Sequence, residues 1–395
     1  MKKLSEYIYK IPRDYHKWGA NFASPRGHFN GIQSMPDARL NMGFDVILHE
    51  TVMEFPHFHN AVEEYLMFVG SDLVKFFDFD AEIELWLGED PDKLEKYVIT
   101  APTIVRIPPG LWHGPINFKR VGKPVAFSAV FPDGDRTEVT RRIIDGKTDY
   151  PYIASSLKRC VKDTSKPCTF CGECFKEMAG GDTTYMNSAM EHGMKWTAEV
   201  IASEPAPRSG KYDKYIFTIP VLYHNWGELY ANPRGRFNGT GFMPEAKIYF
   251  GFSVAMKPHP SEVPHLHFGA EEYLWFTGSN LQNMFDFDAE IEVSLGYDPD
   301  HMEKFIITEP TVIRVPPGLW HCPYVFKRVD KPVNFMAMYL DGDWAKVTRQ
   351  KDEKGNFEYV FQGASLKKCV YNPELTCSYC GKCFQDRKNM AAPVK

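Results

Sequence analysis

Short runs rich in hydrophobic, β-branched and aromatic side chains recur along the chain, and each is bounded by Gly, Pro or Asp. Such runs are typical of β-strands. Examples are residues 39–50, 81–88, 96–100, 102–108 and 247–258. No long helical periodicity interrupts residues 35–135, and many short strands at regular spacing predict a closed barrel or a sandwich. Two further segments, 136–146 and 385–395, are compatible with short helices.

The sequence contains an internal repeat. Trp18 returns as Trp226 and His57 returns as His265, in both cases 208 residues later. The run Pro-Pro-Gly-Leu-Trp-His that ends at His113 also returns with that offset. A repeat of this length indicates a duplicated domain, because solenoid repeats are much shorter.

The repeat divides the chain into five predicted segments. The joint between the two copies is predicted from about Asp182 to Arg208, and it ends in the Pro- and Ser-containing stretch 203–210. The segments are a first barrel over 1–150, a Cys-rich extension over 151–180, a linker over 181–212, a second barrel over 213–350 and a second Cys-rich extension over 351–395.

Histidines at alternate positions are the strongest chemical signal. In a strand, residues i and i+2 face the same side, so His57 and His59 project together. A third imidazole and a carboxylate would complete a site for a divalent metal. His113 is the candidate imidazole, and Glu63 or Glu64 is the candidate acid, because strand alternation lets only one of the two face the metal. We prefer Glu64, and Glu272 in the second copy, because each begins a Glu-Tyr-Leu run typical of a strand start. The second copy offers His265, His267 and His321 with Glu271 or Glu272.

The alternative is that these histidines are hydrogen-bonded residues of the core. A three-His set repeated at a fixed offset favours the metal site over that alternative. Two motifs in each copy carry the set: His-x-His-x4-Glu with a following Gly, and Pro-x-Gly-x2-His. They comprise His57, His59, Glu64, Gly70, Pro108, Gly110 and His113, and then His265, His267, Glu272, Gly278, Pro316, Gly318 and His321.

This pair of motifs resembles the two motifs of the cupin superfamily. The resemblance implies an all-β bicupin: two tandem antiparallel β-barrels (double-stranded β-helix, cupin jelly roll), each with one divalent metal on three His and one Glu. Asn117 completes the second motif in the first copy, whereas Val325 stands at that place in the second copy. Since that Asn is not a ligand in the family, the departure concerns loop packing.

The resemblance also implies a range of functions. The leading hypothesis is a metal-dependent enzyme that acts on a small oxygenated or aromatic molecule, as a dioxygenase or other oxidoreductase, or as a decarboxylase or isomerase. The ligand types suit Fe, Mn, Ni or Zn. The alternative is a non-catalytic metal- or ligand-binding or storage bicupin. Tyr65, Arg106 and Trp112 are weaker candidates for a pocket wall, and the recurring Arg26 and Arg234 receive no role.

Eight of the nine cysteines form two quartets with the spacing Cys-x7-Cys-x2-Cys-x2-Cys. Clustered thiolates favour a metal site, and the choice between zinc and a [4Fe-4S] cluster stays open. The ninth, Cys322, adjoins His321 and is predicted to be a buried free thiol on the opposite face of an extended strand. The quartets are Cys160, Cys168, Cys171 and Cys174, and Cys369, Cys377, Cys380 and Cys383.

Charge and hydropathy narrow the range of partners. Lys and Arg number 46 against 51 Asp and Glu, a net charge of −5, which predicts no nucleic-acid partner. No apolar run reaches the length of about 18 residues that a membrane span needs, and no signal-peptide pattern is present. We therefore expect a cytoplasmic protein that binds a small molecule, and a homo-oligomer is compatible with the sequence. The acidic residues of 78–84 alternate and predict a solvated strand face.

Overall fold

The computed structural model describes residues 3–15, 19–59, 62–132, 137–144, 146–150, 152–154, 199–267, 270–340 and 344–363. Strands dominate them. Those of the first half are β1 (Ile8–Lys10), β2 (Gly27–Asn30), β3 (Asn41–Ile47), β4 (Thr51–Met53), β5 (His57–Phe58), β6 (Glu64–Gly70), β7 (Ala81–Gly88), β8 (Glu95–Ile99), β9 (Thr103–Ile107), β10 (Trp112–Val121), β11 (Val125–Phe131), β12 (Thr137–Thr140), β13 (Arg142–Ile144), β14 (Lys147–Asp149) and β15 (Tyr152–Ala154).

The second half repeats this order. Its strands are β16 (Ile216–Thr218), β17 (Arg236–Phe237), β18 (Ile248–Ala255), β19 (His259–Ser261), β20 (His265–His267), β21 (Glu272–Gly278), β22 (Ala289–Gly296), β23 (Glu303–Ile307), β24 (Thr311–Val315), β25 (Trp320–Val329), β26 (Val333–Leu340), β27 (Ala345–Lys351) and β28 (Phe357–Gly363). The helices that lie wholly within the described residues are short: α1 (Gly31–Ser34), α2 (Gly239–Phe242) and the 3-10 turns Leu4–Tyr7, Leu73–Lys75, Asp213–Tyr215, Gly227–Leu229 and Leu281–Asn283.

The strands form two compact units. The first barrel unit comprises Pro12–Ser71 and Asp78–Thr218, and the second barrel unit comprises Met1–Ile11, Asp72–Phe77 and Ile219–Lys395. The two units are thus interleaved in sequence. Strand β1 pairs with β24 of the second unit, and β16 pairs with β9 of the first. The five segment boundaries stay a prediction, and the fixed repeat offset does not reveal this exchange of edge strands.

Each unit consists of two antiparallel sheets. In the first, β16-β9-β6-β11-β3-β2 form one sheet, and β15-β12-β5-β10-β7-β8 form the other, with β4 beside β10. The second unit has the equivalent sheets β1-β24-β21-β26-β18-β17 and β23-β22-β25-β20-β27-β28, with β19 beside β25. These sheets confirm the predicted all-β fold with two antiparallel domains.

The core of each unit draws on both of its sheets. In the first, Leu66 and Phe68 of β6 share one apolar cluster with Ile83 and Leu85 of β7. Burying a side chain of this size contributes about 1.5–3 kcal/mol relative to leaving it exposed. The apolar positions of the second copy form the corresponding cluster, so the duplicated pattern is sufficient to specify both cores.

One expectation is wrong, and others fall outside the described residues. The helix considered for 136–146 is wrong, since β12 and β13 occupy that segment. There Val139 and Thr140 pair with Phe58 and His57 of β5, and this ladder favours the extended backbone that β-branched residues prefer. The segment 385–395, both cysteine quartets and most of the two Cys-rich extensions lie outside the described residues. Among the described residues, no helix is long and apolar enough to cross a membrane.

Cys322 is buried and free, as predicted. Its backbone is not that of an extended strand, however, because φ is 73°. Gly114 occupies the same place in the first unit with φ 84°, and a Cβ there would approach the Phe55 carbonyl oxygen at 2.8 Å. The second unit therefore accommodates a side chain at a place where the first favours glycine.

Candidate metal centres

Four buried side chains converge in each unit, and their potential ligand atoms all lie within 4.8 Å of one another. Strands β5 and β10 are neighbours, and His57 is the direct cross-strand partner of His113. His265 and His321 form the same pair between β20 and β25. The groups are His57, His59, Glu64 and His113 in the first centre, and His265, His267, Glu272 and His321 in the second centre.

The two centres have nearly the same geometry. In the first, the ring centroid of His57 lies 4.0 Å from that of His113 and 5.1 Å from that of His59. In the second, the corresponding distances from His265 are 4.1 Å and 5.2 Å. The arrangement of the imidazole rings is therefore nearly the same in both units.

Hydrogen bonds at Nδ1 determine which imidazole nitrogen faces the centre. A carbonyl oxygen can only accept, so an Nδ1 beside one must carry the proton, and Nε2 of the neutral ring then keeps a lone pair. Nδ1 donates in this way from His57 to Phe55 (2.8 Å), from His113 to Leu111 (3.1 Å), from His265 to Val263 (2.7 Å), from His267 to Ala345 (2.8 Å) and from His321 to Leu319 (3.3 Å).

In these five rings, Nε2 is therefore an acceptor that faces the centre. Nε2 of the sixth ring, His59, lies 3.0 Å from Oε2 of Glu64. Nε2 of His113 lies 2.8 Å from Oε2 of Glu64, and Nε2 of His321 lies 2.9 Å from Oε2 of Glu272. Within the described part of the chain, Nε2 of His113, His267 and His321 and Oε2 of Glu272 make no hydrogen bond. Buried acceptors at this separation require a positive charge between them. Three nitrogens and one carboxylate suit a divalent transition metal.

The protonation states suit a cation as well. Burial, with the charge of His113 added to it, lowers the pKa of His57 to about 3. Burial together with His321 places the pKa of His265 well below its ordinary value. Burial alone would raise the pKa of Glu64, but the adjacent His59 and His113 outweigh that effect and hold the pKa well below its ordinary value. The neutral imidazole and ionised carboxylate are the forms that bind metal.

The two glutamates of each pair separate onto opposite sides of the strand. Glu64 lies with the histidines, whereas Glu63 accepts a hydrogen bond from Nη2 of Arg106 at 2.9 Å. The hydroxyl of Tyr65 also donates to Glu63. The second unit repeats this buried network, with Glu271 bound by Arg314 at 2.8 Å and by the hydroxyl of Tyr273.

The residues that the sequence suggested as weaker candidates for a pocket wall make packing and hydrogen-bond contacts around the centres. Arg106 and Tyr65 hold Glu63, and Trp112 packs against Phe58 at 4.8 Å between centroids. Asn117 donates to Glu84 at 2.9 Å, on the strand that neighbours its own. That contact belongs to packing, as expected for a motif residue that is not a ligand.

A cavity of about 740 Å³ adjoins the second centre and reaches His265 and Glu272. Its wall contains Tyr249 and His259, two residues that the search for repeated motifs did not select. The first copy has Asn41 and Thr51 at these positions. Differences between the two copies at equal offset were the signal that could have identified them.

Comparison with known proteins supports the architecture alone. No family model matches the sequence, and no curated protein matches it. Solved structures do match: a single-substitution variant of the Bacillus subtilis oxalate decarboxylase is 15% identical, with a TM-score of 0.50 over 86% of this chain and 79% of that chain. A deletion mutant of the Bacillus subtilis enzyme is 14% identical, with the same TM-score and coverage. At such identity the similarity concerns the fold.

Proposed function

We propose that this chain, which has the two-domain cupin fold, is a metal-dependent enzyme that acts on a small oxygenated or aromatic molecule. Each centre would hold one divalent cation, of Fe, Mn, Ni or Zn, through three imidazole Nε2 atoms and one carboxylate. A cation of this kind polarises a bound oxygen atom or carries a redox change. The proposal is supported by the eight converging ligand atoms and by the backbone carbonyls that hold the proton of five of the six rings at Nδ1.

The chain itself would orient and desolvate the reacting molecule. Backbone carbonyls hold five of the six rings at Nδ1, so their Nε2 atoms stay in place without reorganisation. His267 and His321 have no exposed surface, and Glu272 is 1% exposed. Electrostatic interactions strengthen in such a setting because water does not screen them.

The observation that carries the proposal is the cavity beside the second centre. A metal with a filled, closed shell of protein ligands would be structural, whereas His265 and Glu272 border a space that admits a small molecule. We therefore assign turnover to the second barrel unit.

The test begins with metal analysis of the full chain purified without oxygen. We expect divalent metal in both centres, and His113→Ala and His321→Ala should each remove about one equivalent per chain. Retention of all metal by both variants would overturn the proposal. Turnover of a panel of aromatic and aliphatic oxygenated acids, measured with and without O₂, then separates the oxidoreductase from the decarboxylase or isomerase.

The cysteine quartets belong to the same proposal, although they lie outside the described residues. We propose one metal site for each, either a zinc or a [4Fe-4S] cluster. A visible absorption band bleached by dithionite would identify the iron–sulfur cluster, and a colourless protein with bound zinc would identify the zinc site. The homo-oligomeric state and the cytoplasmic location stay predictions.

A further inference from the structure

The cavity of the second barrel unit is large enough for a ligand that contains a ring. Its volume of about 740 Å³ lies within the range of about 300–1,000 Å³ that accommodates drug-sized ligands. Flat side chains form much of its wall: Trp226, Tyr230, Tyr249, Phe335, Tyr339 and Trp344. Aromatic walls of this kind favour a planar, unsaturated molecule, because offset and edge contacts add to the apolar area buried.

The buried polar atoms of the wall that make no hydrogen bond to any described residue include two outside the metal centre. They are Nε2 of His259 and the hydroxyl oxygen of Tyr249, in side chains that belong to residues 8% and 2% exposed. Nδ1 of His259 donates to the Lys257 carbonyl at 2.7 Å, so Nε2 of the neutral ring is an acceptor. Each unsatisfied buried group costs about 1–3 kcal/mol. A ligand that bears a donor and an acceptor would recover that cost.

The rest of the wall differs in charge from the first barrel unit. There, Arg26 is held by two carboxylates, each at 2.7 Å: Asp14 on Nε and Asp45 on Nη1. The corresponding residues around Arg234 are Leu222 and Ser253, so neither position supplies a carboxylate. Nη1 of Arg234 donates instead to the Ser253 hydroxyl at 3.0 Å.

A second difference between the copies also replaces an acidic residue of the first unit. Glu138 of the first unit corresponds to Lys346 in the second, where the lysine bridges Glu262 at 2.9 Å. The guanidinium of Arg234 also lies 4.3 Å from the ring centre of Trp226. A planar cation beside an aromatic wall suits a carboxylate attached to a ring, since it binds the two oxygens side by side.

We propose that the second barrel unit binds an aromatic carboxylate that carries a ring hydroxyl. The carboxylate interacts with Arg234, and the hydroxyl lies at Tyr249 and His259, where it donates to one and accepts from the other. The first barrel unit lacks this subsite, because Asp14 and Asp45 bind its arginine, and Asn41 and Thr51 replace the tyrosine and the histidine. This inference rests on the proposed function only for the metal that the ligand would approach.

Isothermal titration of the full-length, metal-loaded protein with para-hydroxybenzoate tests the inference. We expect one binding event per chain. The neutral para-hydroxybenzamide, which keeps the ring and hydroxyl, should bind at least about tenfold more weakly because it lacks the charge-assisted contact. Benzoate, which lacks the hydroxyl, should also bind more weakly, by about fivefold to tenfold. Equal affinity for all three compounds, or two equivalent sites per chain, would overturn it.

Variants locate the subsite. Tyr249→Phe removes one oxygen atom, and His259→Thr installs the residue of the first unit. Each should weaken para-hydroxybenzoate by about fivefold to tenfold while leaving the affinity for benzoate nearly unchanged. Thr51→Ala in the first unit is the matched control and should change neither. Unaltered affinity in both Tyr249→Phe and His259→Thr contradicts the inference.

The metal content of every sample separates the two proposals. A protein that takes up no divalent metal in either centre, and yet discriminates the acid from the amide with the same effect of Tyr249→Phe, would overturn the proposed function and support the subsite. A protein with metal in both centres that binds none of the three aromatic probes would overturn the subsite and leave the metal chemistry in place.

Discussion

The two barrel units share one framework and differ in what surrounds it. Their histidine rings are arranged alike, with centroid distances of 4.0 Å and 4.1 Å for the cross-strand pairs. Their walls have diverged. Around the first centre Asn41 hydrogen-bonds Asn30 and His28, whereas Tyr249, at the equivalent position, has no hydrogen bond to any described residue.

The difference shows that holding a metal and recognising a ligand are separable tasks in this fold. The first needs three rings and one carboxylate at fixed positions, which the strand ladder and the backbone carbonyls supply. The second needs polar groups in a cavity wall, such as the Tyr249 hydroxyl and Nε2 of His259. Polar groups without a hydrogen bond in a cavity wall are a common cost of a binding site.

Substitution of the metal-ligand glutamate should give the largest difference between the two units. Glu272→Gln should lower turnover at least about 100-fold, since the carboxylate anchors the metal beside the cavity. Glu64→Gln should remove a comparable amount of metal while leaving turnover within about threefold, because its centre lacks the subsite. Steady-state rates measured together with metal analysis check both. Equal losses of turnover would show that the two units act as one site.

Loss of the buried arginine should affect both units alike. Arg106→Met and Arg314→Met leave Glu63 and Glu271 buried without their cation, which we expect to reduce the free energy of unfolding of the affected unit by about 3–5 kcal/mol. Urea denaturation measures this. Exchanging both partners for apolar residues, as in Arg314→Met with Glu271→Leu, should restore much of the stability. If Arg314→Met left the free energy of unfolding unchanged, the buried network would not stabilise the second unit as it does the first.

A single carboxylate should make the second wall resemble the first. Ser253→Asp places an acid beside Nη1 of Arg234, as Asp45 lies beside Arg26. We expect the affinity for para-hydroxybenzoate to fall about tenfold, because the substrate carboxylate then competes with a tethered one. Ser253→Asn, which has a similar volume and no charge, is the control. Calorimetry that finds Ser253→Asp and Ser253→Asn equivalent would contradict the charge argument.

The exposed ion pairs should give the smallest effects, and again equally in both units. Lys123 lies against Asp78, and Lys331 lies 2.5 Å from Asp286, with every one of these side chains about half exposed. Exposed pairs contribute about 0–1 kcal/mol. Lys123→Ala and Lys331→Ala should therefore each change the free energy of unfolding by less than about 1 kcal/mol. A larger loss for either would indicate a coupled network along that strand face.

The acidic strand itself shows how far a local pattern predicts a surface. Alternation over 78–84 predicted a solvated face, and Asp78 and Asp80 are half exposed. Glu84 is 5% exposed, however, and it accepts from Asn117 and Lys96. The period of two identified the face, but the burial at its far end depends on neighbouring strands that the pattern does not contain.

The sequence by itself determined the duplication, the strand content and the six histidines of the two centres. Spacing and alternation are properties of one strand, so they can be read without knowing its neighbours. The choice of Glu64 over Glu63 needed the structure, because both fit the spacing and the position of Arg106 separates them. Contacts between segments distant in the chain likewise decide the strands within 137–144 and the exchange of β1 and β16 between units. They also place Tyr249 and His259 in the wall of one cavity. Tertiary packing alone decides such contacts, since each partner lacks a local signal that identifies the other.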